Sequence, residues 1–186
     1  ASSAQSTNSY MQYTQYRNRQ AHGWAAEDAN AMADRLAGKS VDQVGRNNSC
    51  NGADRIVDGV QIQTKYCASA QDSVNAAFQD SRYRYSGMKL EVPKDQYEEA
   101  VKLMADKIRD GQVPGVTDPA AASDMVVKGN CTYNEAKNIA RAGNIDSIKF
   151  DVKTQAVTCG LTCGMSFLLT YVNSVRGGET HKEALK

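Results

Sequence analysis

The stretch Asn51-Gly52-Ala53-Asp54-Arg55-Ile56-Val57-Asp58-Gly59-Val60-Gln61-Ile62-Gln63-Thr64-Lys65-Tyr66 reads as a β-hairpin. Two runs rich in β-branched residues flank Asp58-Gly59. A type I′ turn needs φ > 0 at both central positions, and Asp-Gly meets that demand. The turn fixes the register: Val57 opposite Val60, Ile56 opposite Gln61, Arg55 opposite Ile62, and Asp54 opposite Gln63. Side chains alternate faces along a strand, so Lys65 shares the face of Gln63 and Asp54.

An acid, an amide and an ammonium thus converge. A carboxylate with a carbonyl-type oxygen can hold a hard cation such as Mg²⁺, and an ammonium beside them can orient water and stabilise charge on a phosphoryl oxygen. A plainer reading makes Asp54, Gln61, Gln63 and Lys65 the solvated face of an amphipathic hairpin whose Val57, Val60, Ile62 and Tyr66 enter a core. The hairpin alone leaves both open.

The stretch resembles the catalytic hairpin of the PD-(D/E)xK, or restriction-endonuclease-like, nuclease superfamily. There an Asp at the end of one strand and an acid-x-Lys on the next bind Mg²⁺ beside the scissile phosphate. Asp54 matches the first Asp, Gln63 stands where the second acid would be, and Lys65 matches the lysine. Gln63-Thr64-Lys65 departs from acid-x-Lys, which removes one charge from the implied metal site. Many members add an acid from a helix before the first strand. His22 to Leu36 has helical periodicity, with Trp24, Met32 and Leu36 among alanines and Gly38 as a stop, and Glu27 is the matching carboxylate. The other reading of Glu27 is a first-turn acid favoured by the helix dipole.

The resemblance implies an α/β (α+β) fold, a mixed sheet flanked by helices, and Mg²⁺- or Mn²⁺-dependent hydrolysis of DNA or RNA phosphodiesters. Asp54, Glu27 and Gln63 would serve as metal ligands and Lys65 as the group holding the attacking water. The wider pattern from His-Gly-Trp-Ala-Ala-Glu to Gly-Gln-Val-Pro-Gly-Val-Thr-Asp-Pro also resembles a group of uncharacterised bacterial proteins. That likeness suggests an effector or toxin, in the cytoplasm or delivered into a target cell's cytoplasm, with a protective immunity-type partner.

The 186 residues are 41% hydrophobic and 23% charged, which suits an ordered domain rather than disorder. A formal net charge of +1 offers no global pull on nucleic acid, so a binding surface must be a local patch. The five cysteines, Cys50, Cys67, Cys131, Cys159 and Cys163, show no CxxC or Cys/His zinc spacing. They read as buried small hydrophobes in a reducing compartment, with a Cys50–Cys67 bridge as the alternative.

Residues 1–20 read as a flexible polar leader in which Tyr10, Tyr13 and Tyr16 recur near Arg17 and Arg19. Residues 21–153 read as the α/β domain. Gln71 to Phe78 suggests a short helix capped by Ser69 or Ser73. Arg82 to Pro93 suggests two paired strands around Ser86-Gly87. Arg82 and Arg84 would share one face there as a nucleic-acid contact, with Tyr83 and Tyr85 on the other. A helix is expected from Lys94 or Asp95 to Arg109, stopped at Asp110-Gly111. The loop 112–119 would line the cleft or lock two helices together. Two more helices are expected over Ala120–Lys128 and Thr132–Ala142, the second opened by a capping box at Thr132 and Glu135, and then a strand over Ile145–Val152.

Residues 154–186 form an apolar segment and tail. From Thr154 to Val175 no residue is charged, a length that could span a bilayer. A strand ending near Cys159 followed by a buried helix is the simpler reading. Two functional alternatives to the nuclease follow: a membrane-active or pore-forming protein acting through residues 154–175, or a degenerate fold that binds nucleic acid or protein without cutting.

Overall fold

The computed structural model describes residues 21–45, 51–142, 148–151 and 156–159. The leader, Cys50, and most of the apolar segment, from residue 160 onward, lie outside the described residues. The chain opens with α1 (Ala21–Leu36) and three strands, β1 (Val41–Gln43), β2 (Arg55–Val57) and β3 (Val60–Thr64). Next come α2 (Ala70–Asn75), β4 (Phe78–Gln79), β5 (Arg82–Tyr83), β6 (Lys89–Val92) and α3 (Tyr97–Arg109). A 3₁₀ turn at Pro119–Ala121 leads into α4 (Ala122–Met125), β7 (Val126–Lys128), α5 (Tyr133–Ala142), β8 (Ile148–Asp151) and β9 (Ala156–Cys159).

The main sheet has five strands in the order β1-β2-β3-β6-β7. Strands β1, β2 and β3 run antiparallel, and β3, β6 and β7 run parallel. The fold is therefore α/β with a mixed sheet and helices packed on it. The hairpin has the expected register, Arg55 with Ile62, Ile56 with Gln61 and Val57 with Val60. Asp58 and Gly59 both have positive φ, 48° and 81°, as a type I′ turn demands. The Ser40 amide donates to Asp58 Oδ1 at 2.9 Å, and the Asp58 amide donates back to the Ser40 carbonyl at 3.0 Å.

Each sheet face has its own cover. Leu90, Val92 and Val126 meet Ala100, Met104 and Ile108 of α3 and Val74 of α2 in an apolar core. On the other side Ala25, Ala26, Ala29 and Ala33 of α1 join Tyr66, Cys131, Ala136 and Ile139. Small side chains let α1 lie close to α5. Trp24 and Met32 pack against this core partly buried, and the helix also buries Asp28, Asn30 and Asp34.

Asn30, Asp34, Arg55, Thr64 and Glu91 meet between α1 and the sheet. Arg55 is only 2% exposed. Its guanidinium donates to Glu91 Oε1 at 2.5 Å and Oε2 at 2.7 Å, and to Asp34 Oδ2 at 3.0 Å. Thr64 Oγ1 and Asn30 Nδ2 complete the shell of Glu91 Oε2 at 2.9 and 2.7 Å. Burial alone would lower the Arg55 pKa, but the two carboxylates outweigh it and raise it. Nothing in the local pattern at Arg55 announces this network.

Several expectations need correction. Arg82–Tyr83 pairs with Phe78–Gln79 rather than with Met88–Val92, through a turn at Asp80 and Ser81 with φ of 50° and 59°. Met88 onward instead enters the central strand β6. The alternation is as expected: Tyr83 and Tyr85 are buried while Arg82 and Arg84 are exposed. The expected helix over Ala120–Lys128 stops at Met125, because the β-branched pair Val126-Val127 joins the sheet edge beside Leu90 and Glu91. Gly129 is no helix stop: a Cβ there would stand 2.0 Å from Tyr66 Oη and 2.8 Å from the Val92 carbonyl.

The helix after β3 ends at Asn75 rather than Phe78, with Ser69 as its cap. Val60 is exposed at the hairpin tip, not in the core. Cys67 carries a free thiol, against the alternative of a Cys50–Cys67 bridge. Other expectations stand. Gly38, with φ of 82°, follows α1, and Gly111, with φ of 72°, follows α3. The capping box forms reciprocally: the Thr132 amide donates to Glu135 Oε2 at 2.6 Å and the Glu135 amide to Thr132 Oγ1 at 3.1 Å. A strand ends at Cys159, and β9 pairs with β8 across the expected boundary at residue 153.

Candidate active site

Strand β3 ends and β2 begins at the same edge of the hairpin, and the N-terminal half of α1 comes over that edge. Between them lies a cavity of about 620 Å³. Glu27, Asp54, Gln63, Lys65 and Arg84 all line it. The structure thus gathers the four proposed catalytic residues and one of the two proposed nucleic-acid contacts. Arg82 is exposed and is not among the cavity residues. Nor does any residue of the loop 112–119 line the cavity; its Asp118 instead caps the 3₁₀ turn.

Asp54 is held from three sides. Gln63 Nε2 donates to its Oδ2 at 2.5 Å and the Thr64 amide at 2.7 Å. The Val44 and Gly45 amides both donate to the Asp54 carbonyl at 3.0 Å. Gly45 is there because little else fits: a Cβ on it would stand 2.7 Å from Asp54 Cα and 2.9 Å from Asp54 Oδ1. Burial is the largest influence on the Asp54 carboxyl and raises its pKa above the usual range, opposed by the Thr64 amide and by Lys65.

Lys65 enters from the next alternate position, with its amide donating to the Glu91 carbonyl at 2.8 Å. Its ammonium sits 5.4 Å from the centre of the Tyr85 ring. Among the described residues it forms no salt bridge, so its charge is available to the cavity. Arg84 stacks on the same ring at 5.3 Å and donates to Asn51 Oδ1 at 3.0 Å through Nε.

Glu27 sits in the second turn of α1, because the helix starts at Ala21 and has no acid in its first turn. The first-turn dipole explanation for Glu27 therefore fails, and the residue lines the cavity wall. Sequence reasoning missed Tyr85 and Asn51 as cavity residues, and read His22 as a helix flank with a general-base role as the alternative. Their positions depend on tertiary packing, and no spacing rule marks them.

Among the described residues no three His, Cys, Asp or Glu side chains form a metal-ligand cluster. Glu27 and Asp54 bring two carboxylates and Gln63 an amide oxygen to the cavity, ligand types that hard cations such as Mg²⁺ or Mn²⁺ take, and His22 and Cys67 line it as well. Among the described residues no helix is long and apolar enough to cross a membrane.

Comparison with known proteins gives two matches. The chain is 53% identical over 100 residues to the inner membrane protein YeeR of Escherichia coli (strain K12), a match that covers 50% of this chain and 20% of that relative. No solved structure matches. The family model of the YeeR C-terminal domain matches residues 4–109, more than half of the chain and including every proposed site residue. The chain belongs to the YeeR C-terminal domain family.

Proposed function

We propose that this chain is a metal-dependent nuclease that hydrolyses phosphodiester bonds of DNA or RNA. The observation that carries the reading is the convergence of Glu27, Asp54, Gln63 and Lys65 on one cavity, with Arg84 at its wall. Asp54 and Glu27 would hold Mg²⁺ or Mn²⁺, with the Gln63 oxygen as a weaker ligand. The bound ion supplies Lewis-acid polarisation of the phosphate and lowers the pKa of a bound water.

The chain's own residues do the rest. Gln63 fixes the Asp54 carboxylate through its amide nitrogen, so the acid is oriented before substrate arrives. Lys65 holds the attacking water and faces the charge that develops on the phosphoryl oxygens. Arg84, steadied by Tyr85 and Asn51, offers a planar fork of donors to a neighbouring phosphate.

The test is cleavage of plasmid DNA, single-stranded DNA and total RNA with Mg²⁺ or Mn²⁺. Metal-dependent cutting by the wild type, lost in folded Asp54→Ala and Lys65→Ala proteins, is expected. Folded wild type that cuts none of the three refutes the reading; metal-independent binding without cutting would instead favour the degenerate module that Gln63 suggests. A bacterial effector or toxin would slow growth when expressed in the cytoplasm, and Asp54→Ala would relieve it.

The relative's name, inner membrane protein, favours a second reading, action at a membrane through residues 154–175. Flotation of the chain with liposomes tests it; a chain that stays at the bottom of the gradient rules that reading out.

A further inference from the structure

The nuclease reading leaves one role unfilled. A protonated lysine can orient a water and stabilise charge but cannot take its proton, and Asp54 and Glu27 are committed to the metal. His22 also lines the cavity, from the first turn of α1. It is half-buried, and its ring packs edge-on against Tyr133 of α5, with centroids 5.3 Å apart and planes at 78°. The backbone of Tyr66, the residue after Lys65, lies close enough to the ring to act on its charge, and Tyr66 lines the same cavity.

Resting on that reading, we propose that His22 is the general base of the site, taking the proton of the attacking water on a ring nitrogen. The water oxygen forms the new bond to phosphorus as its proton passes to the imidazole. The bond from phosphorus to the leaving oxygen breaks, its electron pair stays on that oxygen, and the oxygen takes a proton from solvent. The imidazolium returns its proton to solvent, so the sum is phosphodiester plus water giving a phosphate monoester and an alcohol.

The surroundings suit a base. Burial is the largest influence on the ring and lowers its pKa from the ordinary 6.5; Lys137 of α5 adds to this and the Tyr66 backbone opposes it. Across the cavity stand Lys65, Glu27 and Asp54. The net shift is downward, which favours the neutral ring that a base requires.

The test is the pH profile of kcat for the full chain on the substrate it cuts, comparing wild type with His22→Gln. We expect kcat to fall about 100-fold or more with little change in KM, the scale of a lost general base. The acidic limb should also lose one proton's worth of slope. Imidazole should restore His22→Ala in proportion to its free-base form, which a merely structural role would not produce.

In the wild type, ring NMR should place the His22 midpoint on the acidic limb, a check that needs no variant to fold. If wild type cuts and folded His22→Gln stays within threefold with an unchanged profile, or if the midpoint lies off the limb, His22 is not the base and the nuclease reading survives. If wild type cuts nothing, both fall.

Discussion

Asp54 and Arg55 are neighbours in sequence and opposites in fate. Arg55 points to the α1 side of the sheet, where Asp34, Glu91 and Thr64 engage its guanidinium. Asp54 opens on the cavity, with two side-chain hydrogen bonds among the described residues, both to Oδ2. One charge is neutralised in place; the other is fixed in position while its carboxyl is kept reluctant to ionise by burial. The pair shows why charge in a hairpin says little by itself. A saturated ion holds structure, and one that is oriented but under-compensated is ready to take a ligand.

That contrast breaks most severely on the saturated side. Glu91→Ala would leave Arg55 buried without its main partner, at a cost of about 3–5 kcal/mol. Denaturant melts should show a loss of that size, and activity should go with the fold.

On the cavity side, Asp54→Asn should lose on the order of 10²–10³-fold in kcat, the scale of removing a single group aimed at transition-state charge. Its stability should not fall. Because the folded-state pKa of Asp54 is raised, its contribution to stability is full below the unfolded value of 3.8 and is lost as pH rises through the folded pKa. Relative to Asp54→Asn, wild type should therefore weaken from about pH 4 upward, as thermal melts across pH would show. Equal pH dependence of the two proteins would contradict the raised pKa.

A smaller change sharpens the comparison without touching a charge. Gly45→Ala pushes on Asp54 Cα and Oδ1. A displacement near 1 Å costs about 10²-fold in rate, with Arg55 and its network unaffected and KM for metal raised. The smallest effect separates the two arginines. Arg84→Ala should lower the slope of log affinity against log salt by about 1, and Arg82→Ala should leave it unchanged.

How much was readable follows from distance along the chain. The hairpin register, the convergence of Asp54, Gln63 and Lys65, and the cap at Thr132 and Glu135 depend on residues within a turn or two of each other. The Arg55 network joins residues 36 apart to Glu91 and 21 apart to Asp34. A buried arginine in a strand looks the same in sequence as a solvated one. Strand β7 was hidden because Ala120-Ala121-Ala122 favours helix, while Val126-Val127 becomes a strand only beside Leu90. Tyr85 and His22 reach the cavity by packing, through the short Phe78–Tyr83 hairpin and the seat of α1 against α5.

The type I′ turn at Asp58-Gly59 also has a consequence in time. It closes the antiparallel pair locally, whereas Thr64 meets Glu91 only after the intervening residues have folded back into a parallel pair. Local hairpins form in about 1–10 μs, and long-range parallel pairing is slow. Asp54 and Gln63 should therefore meet in the earliest structured chain, with Arg55 still waiting for Glu91. Conservative substitutions in the turn should slow folding, whereas those at Glu91 should mainly speed unfolding.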